Sequence, residues 1–240
     1  MGSEITRLWV MSIDSSSDVH VSKGILRQVS ESYRKIRNTL RFLLANTEDF
    51  DPEKNTVAYQ DLKPIDKWMT LRFNQFVKDW HEKMSRYDFY DLFKQLINFV
   101  SSDLSAFYLD VAKDIVYIEG RDSLERRSMQ TVFYQVAKGL AQLLTPFLPH
   151  TSEEVWENLK EKPAYAYLTE QPVYQKYSDE ENTLKLWQVF FDFRDQVNKA
   201  LEKAREDNLI GKNAEAALKV ALTKEQQESF DELGIDLRNF

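Results

Sequence analysis

Hydrophobic residues recur every three to four positions through most of the chain, a spacing that predicts long amphipathic helices. The clearest pattern begins at Ser22, a residue type suited to cap a helix N-terminus, and runs to about Asn46. Similar patterns predict further helices over residues 64–86, 89–119, 122–145, 151–160, 178–208 and after Thr223. Asp88 is the expected cap of the helix over 89–119, and capping boxes are expected to begin at Asp122, Thr151 and Thr223. A break is expected near residues 101–103, and residues 217–222 (Ala-Leu-Lys-Val-Ala-Leu) are predicted as the one strand.

These elements predict a mostly α fold, an antiparallel helix bundle with a small truncated α/β element at the C-terminus. We expect a linker over residues 1–21, the bundle over 22–160, a crossing loop over 161–180, and a long helix with the start of a junction subdomain over 181–240. The strand at 217–222 would leave its edges unpaired, so the last element is expected to be cut short. Four tryptophans in the helical patterns are expected in the core: Trp68, Trp80, Trp156 and Trp187.

Composition narrows the class of protein. The 240 residues include only 6 Gly and 6 Pro, against about 17 and 12 for average usage, which argues against an all-β fold rich in tight turns. The absence of Cys excludes thiolate metal sites, and three scattered His make a metal site in this chain unexpected. No apolar run approaches the roughly 20 residues of a membrane span, so no membrane partner is expected.

The net charge of −7 argues weakly against a nucleic-acid partner, because acidic groups repel phosphate. The charge is uneven, however. Residues 22–45 contain six Lys or Arg and one Glu, a charge of +5, so the remainder carries −12. At 100° per residue, the polar side of this helix is an arc of about 100° without an acid. It contains Lys23, Arg27, Arg34, Arg37, Asn38 and Arg41.

Like charges three and four residues apart destabilise a helix, so this basic arc needs an anionic partner. Acidic helices of the same fold could supply it, and so could a polyphosphate from outside. The pattern leaves both open, as an RNA-binding domain or a helical protein-interaction scaffold. The excess of Arg over Lys slightly favours bidentate phosphate or base recognition.

Residues 31–44, ESYRKIRNTLRFLL, resemble a characteristic segment of the bacterial isoleucyl-tRNA synthetases. Further motifs in the same order are similar to those shared by the anticodon-binding domains of the Val/Ile/Leu/Met group of class I synthetases. They are YDF at 87–89, DLSAFYLD at 103–110, PFLPHTSEEVW at 146–156, and the stretch 194–220. The resemblance covers essentially the whole chain, and residues 33–44 favour isoleucine over valine, leucine or methionine.

The resemblance implies the anticodon-binding domain of a cytoplasmic isoleucine–tRNA ligase, with isoleucine tRNA as partner and a monomeric state. The chain has no His-Ile-Gly-His-type sequence and no Gly-rich nucleotide loop, so we expect no catalysis and no cofactor in this segment. ATP, and a Cys-ligated zinc in some relatives, would belong to other parts of the longer enzyme. Residues expected to contact tRNA are His20, Arg27, Arg34, Arg37, Asn38 and Arg41. Many family members have Arg where this chain has His20, which weakens the case for that contact.

Overall fold

The computed structural model describes residues 2–14, 16, 18–159, 161, 163–212 and 215–235, and helices make up most of these ranges. The helices are α1 (Ser3–Met11), α2 (Lys23–Ala45), α3 (Pro64–Ser85), α4 (Phe89–Asn98), α5 (Leu109–Ile118), α6 (Leu124–Leu144), α7 (Pro149–Asn158), α8 (Glu180–Glu206) and α9 (Lys224–Leu233). Short 3₁₀ turns lie at Tyr59–Asp61 and Ala166–Leu168, and a π-helix spans Phe99–Tyr108. The predicted mostly α helix bundle is confirmed.

The chain forms two compact units, Met1–Gln175 and Lys176–Phe240. In the first unit α6 is central, because it packs against α2, α3, α5 and α7 and is buried along most of its length. Aromatic rings pack against it, as where Phe133 of α6 lies edge-on to Phe42 of α2 with ring centroids 6.0 Å apart. Each of the four tryptophans expected in the core is at most 3% exposed, which confirms that prediction.

In the second unit α8 packs on α9. The contact is aromatic, since the Phe230 ring of α9 lies 5.4 Å from Phe193 and 6.2 Å from Phe190. The strand predicted at 217–222 is wrong: over the described residues 215–235 the chain forms no strand. A strand requires a neighbour for its ladder of hydrogen bonds, and this unit offers none among the described residues. Residues 236–240 of the expected junction element lie outside the described ranges.

Several helix starts follow their predicted caps. The Ser22 hydroxyl accepts from the Ile25 amide at 3.2 Å, and Thr223 with Gln226 forms the predicted reciprocal capping box. Asp88 likewise caps α4. Each cap satisfies a backbone amide that the helix itself leaves without an acceptor.

Two predicted caps are wrong, for different reasons. Helix α6 is capped by Ser123 and not by Asp122, whose carboxylate instead accepts from Arg127 at 2.8 Å. Helix α7 begins at Pro149, ahead of the expected box at Thr151, because proline fits the first helical turn. Lys160, the expected end of that helix, lies outside the described residues.

The break expected near 101–103 is replaced by a continuous helical path. The ten residues Phe99–Tyr108 form a π-helix between α4 and α5, a wider turn that is rare and often marks a local constraint. Asp103 within it receives a hydrogen bond of 2.7 Å from Arg72 of α3. The polar residues therefore mark a changed helical pitch and not a loop.

Candidate nucleic-acid interface

One side of α2 belongs to the core and the opposite side is the candidate surface. The buried side contributes Val29, Ile36, Leu40 and Leu43. The opposite side exposes most of the polar arc, namely Lys23, Arg27, Arg34, Asn38 and Arg41. Four and seven residues return a helix to nearly the same direction, so the cations at 23, 27, 34 and 41 form one line, called here the basic line. At 1.5 Å per residue the basic line is about 27 Å long.

Two arginines of the arc have carboxylate partners. Arg34 pairs with Glu31 one turn earlier at 3.1 Å, but both side chains are more than half exposed, and such pairs contribute little. Arg37, at the edge of the arc, pairs with Glu154 of α7 at 2.5 Å and is 37% exposed. The charge of Arg37 is therefore paired with an acid from another helix of the same fold, which is one of the two partners that the sequence analysis left open for the basic arc.

The rest of the basic line has no such neutralisation. Among the described residues, Arg27 and Arg41 form no ion pair and no hydrogen bond, and both are exposed. Asn38 is exposed between Arg34 and Arg41. His20 is exposed two residues before the Ser22 cap, apart from the arginines. The structure therefore brings Arg27, Arg34, Asn38 and Arg41 together, places Arg37 to one side, and leaves His20 ahead of the helix.

A buried network beneath this surface fixes α1, α2 and α7 together. Glu4 of α1, only 7% exposed, accepts from the backbone amide and the hydroxyl of Thr151 at 2.9 and 2.6 Å. The Tyr33 hydroxyl of α2 donates to the same carboxylate at 3.2 Å. A buried carboxylate needs such donors, so Glu4 positions α7 beside the arginines.

Sequence reasoning missed both acids that arrange this site. Glu4 lies in a segment expected to be a linker, although its spacing to Leu8 and Met11 is helical and all three are buried. Glu154 lies past the first turn of α7 and binds Arg37, which is 117 positions away in the sequence. Its neighbour Glu153 accepts from the backbone amides of Ala166 and Tyr167.

An open groove of about 420 Å³ runs between α2 and α7. Its apolar lining is Leu40, Leu44 and Val155, and its charged lining is Arg37, Arg41 and Glu154. The groove thus joins the basic line through Arg41.

Two other kinds of site find no support in the described part of the chain. No cluster of three or more His, Asp or Glu there is arranged to hold a metal ion. No described helix is long and apolar enough to cross a membrane.

Comparison with known protein families matches about two thirds of the chain. Residues 66–222 match the family described as the anticodon-binding domain of tRNA ligase. The matched range begins within α3 and contains α7, whereas the basic line on α2 precedes it.

Curated relatives extend the similarity over nearly the whole chain. The isoleucine–tRNA ligase of Pediococcus pentosaceus is 51% identical over 238 residues, which is 99% of this chain and 26% of the relative. That of Lactobacillus acidophilus is 52% identical over the same share. That of Streptococcus pneumoniae is 56% identical over 220 residues, 91% of this chain and 24% of the relative. The chain therefore spans about a quarter of the length of these relatives.

Proposed function

We propose, from the premise that this chain belongs to the family of anticodon-binding domains of tRNA ligases, that the basic line of α2 binds the anticodon arm of a tRNA. The relatives that are 51–56% identical are named isoleucine–tRNA ligases, and we assign isoleucine tRNA as the partner. The expected contacts are Arg27, Arg34, Asn38 and Arg41. Arg37 and His20 remain secondary candidates, Arg37 because Glu154 already binds it.

The observation that carries the proposal is the exposed basic line of α2, in which Arg27 and Arg41 form no ion pair with the described residues. Guanidinium groups bind phosphate bidentately, and binding releases the counterions condensed on the nucleic acid. Phosphate contacts set register and orientation, whereas sequence is read from the bases. The basic line thus supplies affinity and placement along the arm.

The surrounding charge makes this surface selective. The rest of the chain carries −12, so phosphate is repelled from most of the surface and attracted to α2. We propose that the domain acts within a longer, cytoplasmic, monomeric enzyme that joins isoleucine to its tRNA with ATP. ATP binding and any zinc are assigned to parts of that enzyme beyond this segment.

Replacement of both Arg34 and Arg41 with alanine tests the proposal. Affinity for isoleucine tRNA should fall, and the slope of log affinity against log salt should become shallower by about 0.7 for each single-strand phosphate that the variant no longer neutralises. Both side chains are exposed, so the melting temperature should stay nearly constant. The control is the double variant Arg86→Ala and Lys113→Ala, which removes two exposed cations outside α2.

Two results would contradict parts of this proposal. A collapse in melting temperature of the Arg34/Arg41 variant would show that these arginines serve the fold, as expected of a protein-interaction scaffold. Equal affinity for isoleucine, valine, leucine and methionine tRNAs in filter binding would remove the isoleucine assignment.

A further inference from the structure

The segment that follows α7 exposes a group of large apolar side chains. Residues 163–170, called here the tyrosine loop, contain Tyr165, Tyr167 and Leu168, whose exposed fractions are 52%, 63% and 59%. The rings of Tyr165 and Tyr167 lie beside each other, with centroids 5.7 Å apart and planes inclined by 32°. Single exposed hydrophobic side chains are common on proteins, but a contiguous group of them marks an interaction surface.

Hydrogen bonds to α6 and α7 hold the backbone of the tyrosine loop in place. Glu153 of α7 accepts from the backbone amides of Ala166 and Tyr167 at 3.0 and 3.4 Å. Gln142 of α6 donates to the Thr169 hydroxyl at 3.0 Å, and Ala166 is buried. The bundle therefore fixes the loop from one side while both tyrosine rings stay exposed. A loop that only closed the bundle would gain stability by burying these rings, so their exposure indicates another role.

Exposed carboxylates flank the two rings. Glu157 lies four residues after Glu153 and therefore on the same side of α7, and Glu170 is two residues beyond Leu168. Glu157 and Glu170 are exposed, and neither forms an ion pair with the described residues. Residues 153–170 contain five Glu and two Lys, a charge of −3. This surface therefore repels phosphate and attracts cations, unlike the basic line of α2.

Arginine is the side chain that suits both the rings and the carboxylates. Its planar guanidinium stacks on aromatic faces and pairs with carboxylates, whereas the ammonium group of lysine is a compact point charge. We propose that the tyrosine loop docks an arginine-rich segment of another protein. Guanidinium groups of that segment stack on Tyr165 and Tyr167, and neighbouring ones pair with Glu157 and Glu170. The side of α7 that carries this surface differs from the side that contacts α2, so the inference does not rest on the proposed RNA-binding function.

Two short labelled peptides of equal charge test the surface by fluorescence anisotropy with the full chain. In one peptide arginine alternates with serine, and in the other lysine alternates with serine. We expect the arginine peptide to bind about fivefold more tightly at low salt, because guanidinium groups stack on the rings. Tyr165→Ala combined with Tyr167→Ala should remove this preference. The matched double replacement with phenylalanine retains the rings and should keep it, and so should the control Tyr117→Ala, which replaces a tyrosine that is 67% exposed on α5.

The carboxylates are tested with the same two peptides. Glu157→Gln combined with Glu170→Gln should weaken the binding of both peptides by a similar factor, because both peptides carry the same charge. The preference for arginine should remain, since the two rings are unchanged. Loss of the preference with no change in the affinity for the lysine peptide would contradict the division of roles between rings and carboxylates.

Four results would overturn the docking surface. The first is that the parent chain binds the two peptides equally or binds neither. The second is a preference for arginine that persists when both tyrosines are replaced with alanine. The third is a dimer in sedimentation velocity that the same alanine variant dissociates, which would assign the surface to a second copy of the chain. The fourth is a loss of oligouridylate binding in that variant, which would assign the rings to stacking on RNA bases.

Discussion

Replacement of Asp66 with asparagine is expected to change how the stability of the first unit depends on pH. Asp66 of α3 has no exposed surface. The hydroxyls of Tyr108 and Ser128 donate to its two oxygens, each at 2.6 Å. Burial raises the pKa of Asp66 to about 7, although the bonds from Ser128 and Tyr108 and the charge of Lys63 oppose that rise.

Proton linkage gives the direction and the size of the change in the free energy of unfolding with pH. An unfolded aspartate has a pKa of about 3.9, so between about pH 4 and pH 7 the native state holds a proton that the unfolded state has released. The free energy of unfolding therefore falls as pH rises through this window. Above pH 7 the buried carboxyl is ionised. The rise in its pKa from about 3.9 to about 7 then lowers the free energy of unfolding by about 4 kcal/mol.

Asparagine has nearly the same shape as aspartate, but its side chain does not ionise. It also disturbs one hydroxyl contact at a cost of about 1 kcal/mol. Urea denaturation should show Asp66→Asn to be less stable than the parent by about 1 kcal/mol near pH 3 and more stable by about 3 kcal/mol near pH 8. The matched control is Asp114→Asn, which makes the same replacement at an exposed position. Parallel profiles for the parent and Asp66→Asn would refute the reasoning.

Two further variants test the packing around the site by chemical denaturation. Glu4→Ala should lower the free energy of unfolding by about 2–4 kcal/mol, because the buried Thr151 amide and Tyr33 hydroxyl lose their acceptor. Glu4→Gln should lose less stability than Glu4→Ala. An equal loss in the two variants would contradict this account. Gly139→Ala should cost about 1–3 kcal/mol, because a Cβ there meets the Phe73 ring at 2.5 Å. The same change at Gly24, where the nearest atom is 3.6 Å away, should be neutral or slightly stabilising, and a similar loss at both glycines would count against a steric cause.

Local signals predicted much of the fold. Ser22, Asp88 and Thr223 each cap a helix where the sequence indicated one, because a cap depends on residues a few positions apart. Asp122 failed as a cap since Arg127 binds its carboxylate, and residues 217–222 lack a partner strand among the described residues. These outcomes depend on neighbours that periodicity does not report.

In the candidate site, too, local features could be predicted from the sequence and long-range contacts could not. The exposed side of α2 could be read from helical spacing, because Arg27, Arg34 and Arg41 are exposed there. The pairing of Arg37 with Glu154 could not be predicted from helical spacing, since the two residues are 117 positions apart. The role of Glu4 could not be predicted either, because it depends on the packing of α7 against α1, which is distant in the sequence.

The contact between α2 and the anticodon arm is the central claim, and site-specific photocrosslinking tests it most directly. Benzoylphenylalanine placed at Asn38, which is exposed between Arg34 and Arg41, should crosslink to isoleucine tRNA, with primer-extension stops in the anticodon arm. The same group at the exposed Asp114 of α5 should give no such stops. Stops outside the anticodon arm, or equal crosslinking from both positions, would contradict the claim that the basic line of α2 binds this arm.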